Sequence, residues 1–308
     1  MEIPNFLIIG AAKSGTTALY RYMKQHPDIF MPDRKEPHHF SFTDISKNTN
    51  GPGDYVRTAI IDDEEYKKLF ENVNNEKAIG EASPTYIYIP GTAQRIYSEI
   101  PNSKIIAILR HPADRAFSAY MHLVRDGFEN ELIFEKALEK ENERIANNWG
   151  PIWHYKKAGL YFEQLVPYYQ LFPRNKILII IYDDYKKDPQ TINQKIFNFL
   201  EIDPSFNPDM SAKPNVSGIP KYKSWQTVIS YFFDKDNIIR SISRKMFSEQ
   251  IRWRFTSNLR NKNLVPLKML PETRNQLVEY FKDDILNLQQ LIDYDLSHWL
   301  KINNNILH

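Results

Sequence analysis

Three groups of side chains in this chain are suited to chemistry on an anion. The first is Lys13, which sits inside the glycine-bounded turn Gly10-Ala11-Ala12-Lys13-Ser14-Gly15-Thr16-Thr17. An apolar run, Phe6-Leu7-Ile8-Ile9, precedes this turn, and the helix-like stretch Ala18-Leu19-Tyr20-Arg21-Tyr22-Met23 follows it. Strand, turn and helix start in that order make a nest of backbone N–H groups beside the positive end of a helix dipole. This geometry holds phosphate. The amides around Ser14 and Gly15 belong to the nest, and Thr16 and Thr17 can cap the helix and donate hydroxyl hydrogen bonds to the same anion.

The second group is Arg110, which ends the apolar run Lys104-Ile105-Ile106-Ala107-Ile108-Leu109. A Walker-type loop reads G-x-x-x-x-G-K-[ST]. Here the glycines keep that spacing, but Thr16 stands where the lysine belongs and the lysine has moved to Lys13. A Walker-type site also needs an acidic residue at a strand end to hold Mg²⁺. An arginine there repels the cation and attracts a second phosphate. The reading is a nucleotide with two separate phosphate groups and no metal. Taken alone, the loop is also compatible with a generic nucleotide site or a plain strand-to-helix turn. The third group is Lys35-Glu36-Pro37-His38-His39-Phe40, where a carboxylate stands between a lysine and two imidazoles, the residue types that take up protons.

Five segments together resemble the sulfotransferases that use 3′-phosphoadenosine 5′-phosphosulfate (PAPS), of the heparan-sulfate and carbohydrate type and their bacterial relatives. Lys13-Ser14-Gly15-Thr16-Thr17 resembles their 5′-phosphosulfate loop. Leu109-Arg110-His111-Pro112-Ala113-Asp114-Arg115-Ala116-Phe117-Ser118 resembles their 3′-phosphate element. Lys35–Phe40 resembles their K-E-x-H-x-F segment. Glu81-Ala82-Ser83-Pro84-Thr85-Tyr86 and Asp295-Leu296-Ser297-His298-Trp299 complete the set, in order along nearly the whole chain.

The resemblance implies that Arg110 and Ser118 hold the 3′-phosphate, with Asn215, Ser217 and Gly218 of a late loop contributing. It implies that Lys13 stabilises the transferring group, that Glu36 is the general base, and that Lys35 tunes Glu36 or touches the bridging oxygen. Ser118-Ala119-Tyr120-Met121-His122 is similar to an S-x-Y-x-H run in which the histidine lines the active site, so His122 is a second candidate base. The implied cofactor is PAPS, with PAP as its product. A metal-dependent nucleotide kinase and an inactive PAP-binding module are the alternatives.

These residues need a scaffold, and the apolar pattern supplies one. Strands are expected at Phe6–Gly10, Ala78–Glu81, Lys104–Leu109 and Ile177–Tyr182. Helices are expected at Thr16–Gln25, Ala113–Arg125, Phe134–Asn147, Tyr161–Leu171, Thr191–Leu200 and Glu272–Leu291. Ile177-Leu178-Ile179-Ile180-Ile181 is apolar throughout, as a strand covered on both faces is. Residues 41–62 and 203–220, rich in Pro, Gly, Asn and Asp, read as loops. The expected fold is α/β, a P-loop-NTPase-like parallel sheet with helices on both faces, forming one sulfotransferase domain over residues 1–308.

With 308 residues and a net charge of +2, the chain has ample core and no charge excess of the kind that binds nucleic acid. It has no cysteine, which excludes disulfides and thiolate metal sites. His38, His39, Glu36 and Asp33 are too weakly spaced for a metal, and none is expected. No run reaches the length of a membrane span and the N-terminus enters a strand at once, so no transmembrane segment is expected, and the resemblance, taken with that missing anchor, implies a cytoplasmic, bacterial member of the family.

The acceptor is the least legible part. A carbohydrate, a glycolipid or a small hydroxyl compound is expected. His38, Tyr86, Trp153, His154, Tyr155 and Tyr161 are the candidates to line its pocket, and His39 could also face it. Residues 221–262 carry ten Lys or Arg against three Asp or Glu, interleaved with aromatic side chains. An anionic acceptor, a membrane surface, a second copy of the chain in a homo-oligomer and a plain solvated face all suit that composition.

Overall fold

The computed structural model describes residues 3–43, 49–53, 58–211, 219–220, 264–265 and 267–302. Five parallel strands stand at its centre: β1 (Phe6–Gly10), β2 (Ile29–Phe30), β3 (Ala78–Ala82), β4 (Lys104–Leu109) and β5 (Ile177–Ile181), in the order β2-β3-β1-β4-β5. The strands are almost wholly buried because the sheet is covered twice. Successive side chains of a strand point to opposite faces, and the core divides accordingly. Phe6, Ile8, Ile106, Ile108, Leu178 and Ile180 pack with α1 (Thr16–Met23) and α9 (Pro189–Leu200). Leu7, Ile9, Ile105, Ala107 and Leu109 pack with α3 (Thr92–Glu99), α4 (Pro112–Asp126), α7 (Tyr161–Leu171) and the long α10 (Pro271–Ile292). Gly80 leaves room for this register: a Cβ there would stand 2.2 Å from the ring of its partner Phe6.

The order places β3 on one side of β1 and β4 on the other. The crevice beyond their C-terminal ends is where such a sheet binds ligands. The glycine-bounded turn, residues 11–15, leaves β1 into that crevice, and Arg110 leaves β4 beside it. His111 then caps α4: its Nδ1 accepts from Ala113 N at 3.2 Å and its Nε2 bonds Trp299 O at 2.9 Å. The closing Asp295–Trp299 segment thus anchors the start of the helix that carries Ser118 and His122.

Several boundaries differ from the sequence reading. The helix expected over Phe134–Asn147 is two, α5 (Phe134–Glu139) and α6 (Glu141–Ala146). The chain turns at Lys140, where buried Glu141 accepts the amides of Lys156 and Lys157 at 2.7 and 2.8 Å. Tyr182 opens α8 (Tyr182–Lys187) instead of ending β5, and α1 stops at Met23. The edge strand β2 and the short helices α2 (Asp63–Lys68), α3 and α8 carry too few apolar residues to show a period. Ile219–Pro220 (β6) pairs with Leu264–Val265 (β7), so the expected loop 203–220 ends in a strand. None of the described helices is long and apolar enough to cross a membrane.

Candidate active site

The glycine-bounded turn after β1 reaches the cleft through left-handed backbone. Gly15, at φ 101°, is the N-cap of α1, and a Cβ there would stand 3.1 Å from the Tyr182 ring. No side chain caps this helix, so Thr16 and Thr17 do not serve as caps: the residue in the cap position is glycine. Gly15 O accepts the amides of Ala18 and Leu19 at 3.0 and 3.1 Å. The amides of Thr16 and Thr17 have no backbone acceptor among the described residues.

Among the described residues, six other than glycine have positive φ. Glu201 and Asp293 are helix C-caps, where that conformation is ordinary. Lys13 (φ 69°), Glu36 (φ 60°) and His38 (φ 56°) are not, and all three line one cavity. A left-handed conformation at such residues costs on the order of 1–3 kcal/mol each and persists where the surroundings over-determine it.

The surroundings of Glu36 are visible. His38 N donates to Ser83 Oγ at 2.9 Å, Ser83 Oγ donates to Glu81 Oε2 at 2.8 Å, and His38 Nδ1 bonds Thr85 Oγ1 at 2.8 Å. The Glu81–Thr85 segment at the end of β3 therefore buttresses the loop that carries Glu36. Burial raises the Glu81 carboxyl to about 7, against the hydrogen bonds from Tyr86 and Ser83.

The cavity, about 860 Å³, lies at the C-terminal ends of β1, β3 and β4. It is lined by Lys13, Gly15, Thr16, Thr17, Arg110, Ser118, His122, Glu36 and His38, residues that the sequence scatters over more than a hundred positions. Lys13, Arg110, Arg115 and Lys186 bring four cationic side chains, and Glu36 is the only carboxylate among the described lining residues. Arg110 is held from three directions. Its guanidinium lies 5.1 Å over the Tyr182 ring, its Nη1 donates to Lys13 O at 3.4 Å, and its own carbonyl accepts Tyr161 Oη at 2.9 Å.

The electrostatics follow from this crowding of cations. Burial, then Arg125, brings the Lys13 ammonium down to about 7, against the pull of Asp126 and Glu36. Burial pushes the Glu36 carboxyl up, but Lys35 in direct contact with Oε1, then His38 and Lys13, outweigh it and hold the group below the carboxylate range. Burial brings His38 down to about 4. Burial, then Lys13, brings His122 down to about 3. Both imidazoles are therefore neutral at pH 7.

Three expected acceptor contacts are core side chains instead. Tyr86, Trp153 and Tyr161 are fully buried, and none lines the cavity. Tyr86 Oη meets Phe40 N at 3.3 Å, Trp153 Nε1 donates to Pro52 O at 3.3 Å, and Tyr161 braces Arg110. His39 stacks on Tyr66 at 3.9 Å and also turns away. Tyr155 is buried with its hydroxyl on Glu129, and His154 is bonded by Tyr88 Oη at 2.5 Å. Asn215, Ser217, Gly218 and the basic stretch 221–262 lie outside the described residues.

Tyr182, Arg115, Tyr88 and Lys186 line the cavity and are not among the site residues expected from the sequence. Arg115 carried a signal: it lies three residues before Ser118 and seven before His122, on one face of α4. No group of three or more metal-ligating side chains occurs among the described residues.

Residues 4–217 match the sequence model of the family described as Sulfotransferase domain. Over 279 residues the chain is 25% identical to a membrane-associated sulfotransferase of Dictyostelium discoideum, a match that covers 65% of this chain and 56% of that protein. It is 27% identical over 219 residues to the bifunctional heparan sulfate N-deacetylase/N-sulfotransferase 4 of Mus musculus, covering 67% of this chain and 23% of that one. The crystal structure of a sulfotransferase from Alicyclobacillus acidocaldarius superposes with a TM-score of 0.77 at 36% identity, covering 98% of this chain and all of that one. The chain spans about half or less of the length of these two curated relatives.

Proposed function

The chain belongs to the sulfotransferase family, and from that premise we propose that it transfers a sulfuryl group from PAPS to a hydroxyl or amine of an acceptor, a carbohydrate or glycolipid. The observation that carries the reading is the makeup of the cavity: four cations and one carboxylate among the described lining residues. Two separated phosphate groups need the cations, and a nucleophile that must lose a proton needs the carboxylate. The acceptor class rests on the similarity to heparan sulfate and carbohydrate enzymes.

The donor set fits the nucleotide. The amides of Thr16 and Thr17, the hydroxyls of the same residues and Lys13 would hold the 5′-phosphosulfate, while Arg110 and Ser118 would hold the 3′-phosphate. Bound PAPS supplies a sulfuryl group on a good leaving group, its 5′-phosphate. Glu36 Oε2 takes the acceptor's proton as the acceptor atom forms its bond to sulfur. Lys13 stabilises the electron pair left on the phosphate oxygen as the bond from that oxygen to sulfur breaks. Lys35 keeps Glu36 ionised through Oε1, leaving Oε2 for the proton. The proposal extends to a single domain over residues 1–308 and to a cytoplasmic location. Cell fractionation tests the location.

Calorimetry with PAP, adenosine 5′-phosphate, and ATP with and without Mg²⁺ tests the nucleotide. PAP is expected to bind without metal and more tightly than the others, because its 3′-phosphate would give Arg110 and Ser118 a charged acceptor, worth roughly 1.5–3 kcal/mol for each hydrogen bond made. The rise in melting temperature follows the same order. Equal shifts by PAP and adenosine 5′-phosphate would place the 3′-phosphate elsewhere, and a requirement for Mg²⁺ with ATP would favour a kinase.

Lys13 gives a second test. With an ammonium at about 7 in the free protein, most of the population is neutral at pH 8. An anion beside Nζ raises that value, so PAP binding takes up a proton. The sign follows directly: above pH 7, where the phosphates, with a second pKa of about 6, are almost fully charged, affinity weakens as pH rises and Lys13 loses its proton. Titrations at pH 8 in buffers of different ionisation enthalpy are expected to show uptake approaching one proton. Lys13→Met abolishes it. Uptake unchanged in that variant would assign the proton to another group.

A further inference from the structure

Glu81 is a buried carboxyl at the end of β3, and it is held by hydroxyl groups instead of a cation. Ser83 Oγ donates to its Oε2 at 2.8 Å, Tyr66 Oη of α2 donates to its Oε1 at 3.4 Å, and Tyr86 Oη also bonds it. Two of these hydroxyls carry a second bond. Ser83 Oγ accepts His38 N at 2.9 Å, and Tyr86 Oη accepts Phe40 N at 3.3 Å. A backbone N–H only donates, so each hydroxyl meets its amide with a lone pair and sends its proton to the carboxylate. Two parallel relays thus run from alternate amides of the Lys35–Phe40 segment to one carboxyl. Pro37 has no N–H, so His38 N is the first backbone donor after Glu36 that can tie this loop down.

Resting on the sulfotransferase reading, we propose that Glu81 is a positioning residue for the general base: its ionised carboxylate fixes the polarity of the Ser83 and Tyr86 hydroxyls, and through them the backbone that presents Glu36. A hydroxyl that donates to a carboxylate is a better acceptor for the N–H behind it. A proton on Glu81 reverses this. The acid must itself donate, one hydroxyl loses the acceptor of its proton, and its hold on the loop weakens. The Tyr86 hydroxyl also lies within bonding reach of Ser83 and Tyr66, so the hydroxyls can exchange partners when that happens. Burial, with a smaller push from Glu36, raises the Glu81 carboxyl to about 7 against the bonds from Tyr86, Ser83 and Tyr66, and Tyr168 of α7 feels its charge in turn. Glu36, below the carboxylate range, and His38, at about 4, do not titrate between pH 6 and 8. Lys13 does so in the free protein, at about 7, and bound PAP raises it.

Pro37-His38 and His39-Phe40 each occur once in the chain, so carbonyl-to-amide correlation spectra of protein with ¹³C-carbonyl and ¹⁵N labels on those residue types show each amide alone. In the PAP complex both amides are expected to shift together as pH falls from 8 to 6, with one midpoint near 7. Glu81→Gln, neutral at every pH, abolishes the shift, whereas free Lys13→Met protein keeps it. Turnover of PAPS, with a methyl glycoside supplying the hydroxyl, follows the amides: wild-type kcat falls below pH 7. Glu81→Gln lowers kcat at pH 8 by up to about 10²-fold, the cost of misplacing a reacting group by about 1 Å. Its profile is flat from pH 6 to 8 and its PAP affinity is that of the wild type. Ser83→Ala breaks one relay and keeps the Glu81 charge, so a lower kcat there reads the relay and not the field of the carboxylate. Adding Glu81→Gln to Glu36→Gln costs nothing further, because Glu81 acts through Glu36.

Amide signals of the PAP complex that stay in place from pH 8 to 6, or that shift equally in Glu81→Gln, overturn the inference and leave the functional reading standing. So does Ser83→Ala with wild-type kcat. A wild type that binds no PAP overturns the functional reading, and the positioning role with it. The wild-type spectra need neither an acceptor nor a folded variant to decide.

Discussion

Glu36→Gln is expected to lower turnover by about 10²–10⁴-fold, the range for loss of a positioned general base, while PAP binding stays intact or tightens slightly. The change is close to isosteric, and it removes a negative charge from a cleft whose other charged side chains, among the described lining residues, are cations. The pH dependence sharpens the test. Glu36 is held below the ordinary carboxylate range by Lys35, so it is already ionised throughout pH 6–8 and gives no acidic limb there. His122, at about 3, gives none either. Lys35→Ala releases the Glu36 carboxyl upward, because burial then acts with less opposition, and an acidic limb moves toward neutral pH. A hydroxyl acceptor is required, since an amine brings its own titration. Wild-type turnover in Glu36→Gln with His122→Ala inactive would transfer the role of base to the imidazole.

Lys13→Ala and Arg110→Ala are expected to fail in different ways. Lys13 would face the atoms where charge develops, and removing one such stabilising group costs about 10²–10³ in kcat. Arg110 would face the remote 3′-phosphate, so its loss raises the Kd for PAP and the KM for PAPS with a smaller effect on kcat. In the wild type, kcat/KM reports free enzyme and declines above about pH 7 as Lys13 loses its proton, whereas kcat, measured with nucleotide bound, stays level further into the basic range. Steady-state kinetics across pH 6–9 with both variants checks all of this. Equal losses of PAP affinity in the two variants with kcat untouched would show that Lys13 binds and does not assist transfer.

Much of the architecture was readable in the amino-acid order because it is written locally. The buried strands β1, β4 and β5 are continuous apolar runs, since helices cover both of their faces. Lys13 and Arg110 could be picked out because a turn after one strand and a residue at the end of another are bound to reach the same edge of a parallel sheet. Ser118 and His122 follow by helical spacing, four residues apart on α4.

What depends on contacts between distant segments was not readable. A tyrosine or tryptophan suits a sugar-binding wall and a core equally well, and only packing put Tyr86, Trp153 and Tyr161 inside. The Glu36 loop takes its left-handed turns from Ser83 and Thr85, more than forty residues away. The protonation states belong to the tertiary structure as well. Lys13 is depressed by burial and Arg125, Glu36 is held down by Lys35 against its own burial, and His122 is depressed by burial and Lys13. The amino-acid order determined which groups could do this chemistry. The folded surroundings decided which of them hold a proton, because desolvation and the distance to a neighbouring charge exist only once the chain has closed around them.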